Sequence, residues 1–221
     1  MSKVRNILAT SARVLTVALA FAVCLSAGAL TPKKDKKAAQ KEPEVDIYEL
    51  SIDDNLRRPS LGASTSKIVD FQYQQALQLK KNQFMVETMR SGEVLVVTIP
   101  AGVLFAPNDT VLSDVGQEVL RKFLKYLKTP GMYKMILAMH SDDTGSSKYL
   151  IGLTRSRVDA VFDWIDHNGS VEYVVPYALG GTDPLKPNNS MQNRHGNRRL
   201  EIYFVPEKMM IQAAQRGIIQ L

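Results

Sequence analysis

His140 to Arg157 reads "HSDDTGSSKYLIGLTRSR". It begins where the apolar run "MYKMILAM" ends, crosses a patch of Asp, Thr, Gly and Ser, and enters a segment with apolar residues at three-and-four spacing. That succession predicts strand, loop and helix, with the helix running from about Lys148 to Asp166 and stopping at "HNG". Leu150, Leu153, Arg157, Val161 and Trp164 then fall on one stripe, so Arg157 lies on the buried face or at its border. An unpaired guanidinium there is costly. Arg157 therefore either takes a partner or snorkels, with its stem on apolar atoms and its head in water. Asp142 and Asp143 also admit two readings. They suit the turn and helix cap as such, and Asp142 with Arg157 across a groove can hold a zwitterion, ammonium on the acid and carboxylate on the fork. Spacing alone leaves both open. Arg155 and Asp159, four apart on the opposite flank, read as a solvated pair.

The surrounding chain continues the alternation. "EVLVVTIP", ended by Pro100, is a buried strand. "FAPNDTVLS" is a polar loop, after which Ser113 or Asp114 caps a helix expected to bury Val115, Val119, Phe123 and Leu127 and to stop at "TPG". "MYKMILAM" is a second strand, and "VEYVVPYAL" a third, broken or edged by Pro176. The long loop "GGTDPLKPNN" and the basic segment "RHGNRR" lead to a last strand, "LEIYFVP". Ser66 to Met89 contains no Pro or Gly and reads as a helix, and Met209 to Ile219 as a terminal one. Strands alternating with helices imply an α/β sandwich with helices on one face of a small mixed sheet.

Ahead of the domain, Lys3, Arg5 and Arg13 precede an uncharged run from Val14 to Leu30, with "AGA" at Ala27–Ala29. This is the pattern of an export signal cleaved before Leu30. A retained anchor ranks second. Lipidation of Cys24, the single cysteine, ranks third, because Val23 is bulkier than the residue a lipidation site takes there. Cleavage lowers the net charge from +6 to +3, too weak to argue for nucleic acid. "TPKKDKKAAQKEPEVD", residues 31–46, cannot bury enough surface to offset its ordering entropy and reads as a tether. Its full extension is at most ~55 Å. The expected organisation is a signal at 1–29, a flexible linker at 30–64, a helical segment at 65–91, a domain at 92–206 and a helical tail at 207–221.

Three motifs in order carry a resemblance. "HSDDTGSSKYLIGLTRSRVDAV" resembles the OmpA-like peptidoglycan-binding signature, G-H-T-D-x-x-G followed by Y-N-x-x-L-S-x-x-R-A-x-x-V. "YALGGTDPLKPNNSMQNRHGNRRLEIYFVP" is similar to that family's closing loop, N-R-R motif and strand, and "FAPNDTVLS" to its first loop. The likeness covers Glu93 to Pro206 and implies the family's βαβαβ sandwich. It also implies binding of peptidoglycan stem peptides, Arg157 gripping the carboxylate of diaminopimelate and Asp142 its ammonium. Thr144 and Gly145 would shape the loop, Asn108 and Asp109 would be weaker contacts, and Asn197 and Arg198 would order the region, leaving Arg199 as strand-edge surface. Three departures stand out: Met139 for the family's Gly, Ser141 for its Thr, and Leu150 for its Asn. The last removes a polar contact and puts ligand affinity in question.

The reading is a non-enzymatic protein of a Gram-negative envelope, periplasmic or at the outer membrane, with no cofactor and no metal site. Its partners would be peptidoglycan and envelope proteins reached through residues 47–90, with no nucleic acid. The membrane is a partner only through an uncleaved or lipidated N-terminus. A hydrolase drawing on His140, Asp142, Asp143, His167 and His195 has no H-E-x-x-H and no G-x-S-x-G behind it. A nucleic-acid binder using "NRHGNRR" lacks interleaved aromatics. The remaining alternative is a scaffold that docks envelope partners, its ligand site vestigial.

Overall fold

The computed structural model describes residues 51–57 and 59–220. The expected signal, Cys24 and the linker up to residue 50 lie outside them. Five strands form one sheet in the order β1-β2-β5-β3-β4. They are β1 Met85–Met89, β2 Val94–Pro100, β3 Tyr133–His140, β4 Val174–Gly180 and β5 Arg199–Pro206. Neighbours run antiparallel except β3 and β4, which are parallel. A parallel pair needs a long crossover. It is supplied by α5, Ser147–Asn168, the helix read from the opening stretch.

The alternation of β5 explains the layering. Leu200, Ile202 and Phe204 face one way, into a core shared with α2 (Thr65–Lys81), α4 (Asp114–Arg121), α5 and α7 (Lys208–Arg216). These four helices thus pack on one face of a mixed sheet, as the sequence implied. Phe204 sits among Tyr126 and Tyr133, ring centroids 4.7 and 5.7 Å away, an arrangement that adds to the burial energy of large rings. The uneven apolar face of α2 has a reason in Gln72. It is buried, donates to the Glu93 carbonyl at 2.8 Å and accepts from the Tyr133 hydroxyl at 2.7 Å, so it fastens helix to sheet with its polar groups satisfied. Pro176 lies on β4 at the sheet edge, where its missing N–H costs no ladder bond.

Several expectations change. The helix expected over Ser66 to Met89 ends at Lys81, and residues Met85–Met89 are instead edge strand β1, paired with β2. Asn82 closes the helix, its side chain donating to the Gln78 carbonyl at 2.9 Å. The flexible linker was expected to reach residue 64, but Ile52–Leu56 forms a short helix, α1, with Asn55 and Leu56 buried. Leu56 packs with Val94, Ile136 and Val205 on the sheet's second face, and Asn55 donates to the Tyr177 hydroxyl at 2.6 Å. On α4 the buried positions are Gly116 and Leu120, whereas Val115 is 64% exposed. Ser113, not Asp114, caps that helix by accepting from the Gly116 N–H. Among the described residues no helix is long and apolar enough to cross a membrane.

Candidate functional site

Strand β3 ends at His140, and Asp142 follows two residues later, its loop held by the Ser141 N–H donating to the Gly180 carbonyl at 2.6 Å. From the other side Thr154 of α5 accepts from the Gly180 N–H at 3.1 Å and donates to the Leu150 carbonyl at 2.9 Å. Ser146 caps α5 by accepting from the Tyr149 N–H. Helix, β3 end and β4 end are thus tied together around Asp142, which is 3% exposed.

Arg157 is 5% exposed, and it neither snorkels nor pairs with an acid. Its Nε donates to the Asp109 carbonyl at 2.8 Å and its Nη2 to the Ala106 carbonyl at 3.3 Å, while the guanidinium lies over the Phe105 ring, 5.1 Å from the centroid. The arginine therefore pins the first loop to α5. Among the described residues no carboxylate forms an ion pair with it, and Nη1 is left without a protein acceptor. Burial pulls the guanidinium below its ordinary value, yet it stays charged. Such a group favours an incoming anion.

Asp142 corrects a simpler picture. It is not a free carboxylate waiting for an ammonium: Arg198 Nη1 donates to its Oδ2, and the Thr144 N–H donates to Oδ1 at 2.9 Å. Burial pushes its pKa up, but these two donors outweigh burial and hold it below the usual carboxylate range. A carboxylate has about four acceptor positions, so an added ammonium shares it with Arg198.

A cavity of about 610 Å³ collects these groups. Asp142, Arg157, Asn108, Thr144 and Arg198 line it, as do Leu150 and His195. Asn108 sits in the left-handed region, φ 55°, which asparagine tolerates. Asp109 is not in the lining. Its Oδ1 accepts from the Val111 and Thr110 N–H groups, which hold its carboxyl below the ordinary range, and its carbonyl serves Arg157. Gly145 stays outside too, at φ 141°, a conformation that favours glycine. Asn197 is fully buried and bonds the Lys186 N–H and carbonyl and the Asn188 side chain, so it secures the 182–190 loop without reaching the cavity.

Arg199 is not strand-edge surface: it is 1% exposed on the sheet's second face, with Nε donating to Glu201 at 2.7 Å. Of the pooled acid–base residues only Asp142 and His195 line the cavity, and His140, Asp143 and His167 do not. His140 is buried against Glu201, Nε2 to Oε2 3.4 Å, and His167 bonds the Asp163 carbonyl on α5, while His195 lines the cavity. The sequence named His195 only in the hydrolase alternative and not as a ligand-site residue, because it sits in a basic, polar segment with no periodicity to aim it.

No model of a known protein family matches the chain. Among curated proteins it is similar to "Probable lipoprotein YiaD" of Escherichia coli K12, 25% identical over 122 residues, 55% of this chain and 56% of that one. The chain thus spans little more than half the length of that relative. Among solved structures it is similar to the cell wall anchor of the T6SS from Pseudomonas aeruginosa, with TM-score 0.50 and 25% identity over 68% of this chain and 100% of that one. A MotB-like protein from Desulfovibrio vulgaris gives TM-score 0.55 at 21% identity over 64% of this chain and 98% of that one, a likeness of fold. The OmpA-like resemblance read from three motifs stands, and the fold is the one it implied.

Proposed function

We propose that the chain anchors a Gram-negative envelope structure to the cell wall by holding peptidoglycan stem peptides non-covalently, as a binding module and not an enzyme. The observation that carries this reading is Arg157: a buried cation whose hydrogen bonds among the described residues go to two carbonyls and leave Nη1 without an acceptor, in a cavity it shares with Asp142. A carboxylate on Arg157 and an ammonium on Asp142 match the far end of the diaminopimelate side chain, where one carbon carries both groups, and a lysine in that place lacks the carboxylate. Asn108, Thr144 and Arg198 complete the lining, while Asp109, Gly145 and Asn197 position it. A cell wall anchor and a probable lipoprotein among the similar proteins support a place in the periplasm or at the outer membrane. The signal at 1–29 and the tether that follows fit such a setting.

Isothermal titration of the protein with a tripeptide stem ending in diaminopimelate, beside its lysine analogue, tests the reading. The expected result is a preference for diaminopimelate of about tenfold or more, the worth of one charge-assisted hydrogen bond. No binding of either stem by the folded protein would hand the role to the alternative, a partner-docking scaffold. Leu150 is the residue that keeps that alternative in play, since it presents an apolar side chain to the cavity where the family's asparagine is polar.

A backbone contact gives a second prediction. A Cβ added at Gly181 would stand 2.5 Å from the Asp142 carbonyl oxygen and 3.2 Å from its carbonyl carbon. Neither is a flexible side-chain end, so Gly181→Ala forces the Asp142 loop to shift. Overpacking of this kind costs about 1–3 kcal/mol. Stem affinity is expected to fall by about tenfold as Asp142 leaves its place. Unchanged affinity in the same titration would show that the position of Asp142 does not matter to the ligand.

A further inference from the structure

A second, smaller cavity of about 430 Å³ adjoins the first and shares Thr144 and Arg198 with it. Its remaining lining is Met191 and Arg194, so it presents two guanidiniums and no carboxylate. Both cations are held in place. Arg194 Nη1 donates to the Asn188 carbonyl at 2.7 Å, and Arg198 Nη1 is engaged by Asp142. Each keeps its other nitrogens without a protein acceptor among the described residues. Two half-buried, pre-positioned forks on one wall form a carboxylate site, because the planar guanidinium matches a carboxylate and its ordering cost is already met by the anchoring bonds.

Resting on the wall-binding reading, we infer that this second cavity takes the free α-carboxylate of the stem residue next to diaminopimelate. In a stem of that type the preceding D-glutamate is joined through its γ-carboxyl. Its α-carboxylate therefore hangs free, one residue from the group that Arg157 and Asp142 hold. A ligand seated in the first cavity presents this anion at its border, where Thr144 and Arg198 belong to both cavities. Arg194 is then a specificity residue. It separates stems whose glutamate is free from stems in which that carboxylate has been converted to an amide, which has no charge for the forks to meet.

The test is a titration of the full protein with two tripeptide stems, one with free D-glutamate and one with D-isoglutamine, against wild type, Arg194→Gln and Met191→Glu. Wild type is expected to bind the free acid about tenfold more tightly than the amide, as a charged hydrogen-bond pair predicts. Arg194→Gln binds both alike, at the level wild type shows for the amide. Because Arg194 also holds the Asn188 carbonyl, Met191→Glu serves as the independent variant. Met191 is 81% exposed, so a carboxylate there leaves the packing alone and repels the free acid while sparing the amide. Equal binding of both stems by wild type overturns the subsite and leaves the wall reading standing, as does discrimination that survives in both variants. Failure of wild type to bind either stem overturns both.

Discussion

Arg157→Ala is expected to reduce stem binding by a factor of roughly 30 to several thousand, the consequence of truncating one partner of a buried charged contact worth about 2–5 kcal/mol. The size of the effect follows from where the charge is. Arg157 is almost wholly buried, its hydrogen-bond and ring partners among the described residues are two carbonyls and one aromatic ring, and it lines the cavity. A carboxylate arriving there meets a desolvated cation that no acid has neutralised. The same side chain pins the Asp109 and Ala106 carbonyls, so alanine also loosens the first loop. Two hydrogen bonds from a charged group are together worth on the order of 3–6 kcal/mol of stability. Arg157→Lys separates the two effects, because a point charge cannot serve both carbonyls and a ligand at once but keeps the cation. Lysine is expected to bind between wild type and alanine. Titration beside a circular-dichroism melt reads both quantities, and an alanine variant that melts lower yet binds as wild type would remove Arg157 from the site.

Glu201→Gln is expected to destabilise the fold by about 3–5 kcal/mol at neutral pH, the usual result of taking one member from a buried ion pair. Glu201 accepts from Arg199 Nε at 2.7 Å and from the Tyr203 hydroxyl, and it faces His140. Arg199 has little else in the way of countercharge: its Nη1 serves the Asp183 and Asn197 carbonyls, and its Nη2 stands 3.8 Å from the largely exposed Asp183 carboxylate. Burial raises the Glu201 carboxyl, but the His140 ring 3.4 Å away and the bonds from Tyr203 and Arg199 outweigh it and bring its pKa down to about 2 from an ordinary 4.5. The folded value lies below the unfolded one, so the charged form stabilises the fold above pH 4.5, and that contribution drains away as pH falls toward 2. Urea denaturation of both proteins across that window checks the sign. Wild type should converge on the glutamine variant as the acid is neutralised, and a constant gap between them would refute the account.

The parts of the fold legible in the sequence are those that local pattern determines. β2 and β3 are apolar runs with clear stops, α5 follows a strand and a capping serine, and Asp142 and Arg157, left open by their spacing and singled out by the family resemblance, line one cavity. β1 was hidden because Phe84–Met89 has no breaker before it. Only Asn82 after two lysines marks the helix end, and pairing with β2 makes the rest extended. Arg199 was misplaced because the alternation of β5 says only that Arg199, Glu201 and Tyr203 share a face. That this face is covered depends on residues far away in sequence, among them Leu56 of α1. The link from Arg198 to Asp142 spans 56 positions, a separation at which no periodicity speaks.

Asp142 roots directly on β3, and β3 is laddered on both sides, to β5 and to β4. Arg157 roots in the middle of a 22-residue helix. A tug on a captured ligand outward along β3 is therefore met by two rows of backbone bonds loaded together in shear, not opened one after another like a zipper. A load entering there is shared between β4 and β5 from the first bond, so the fold itself supplies the mechanical footing that an anchor at this loop would need.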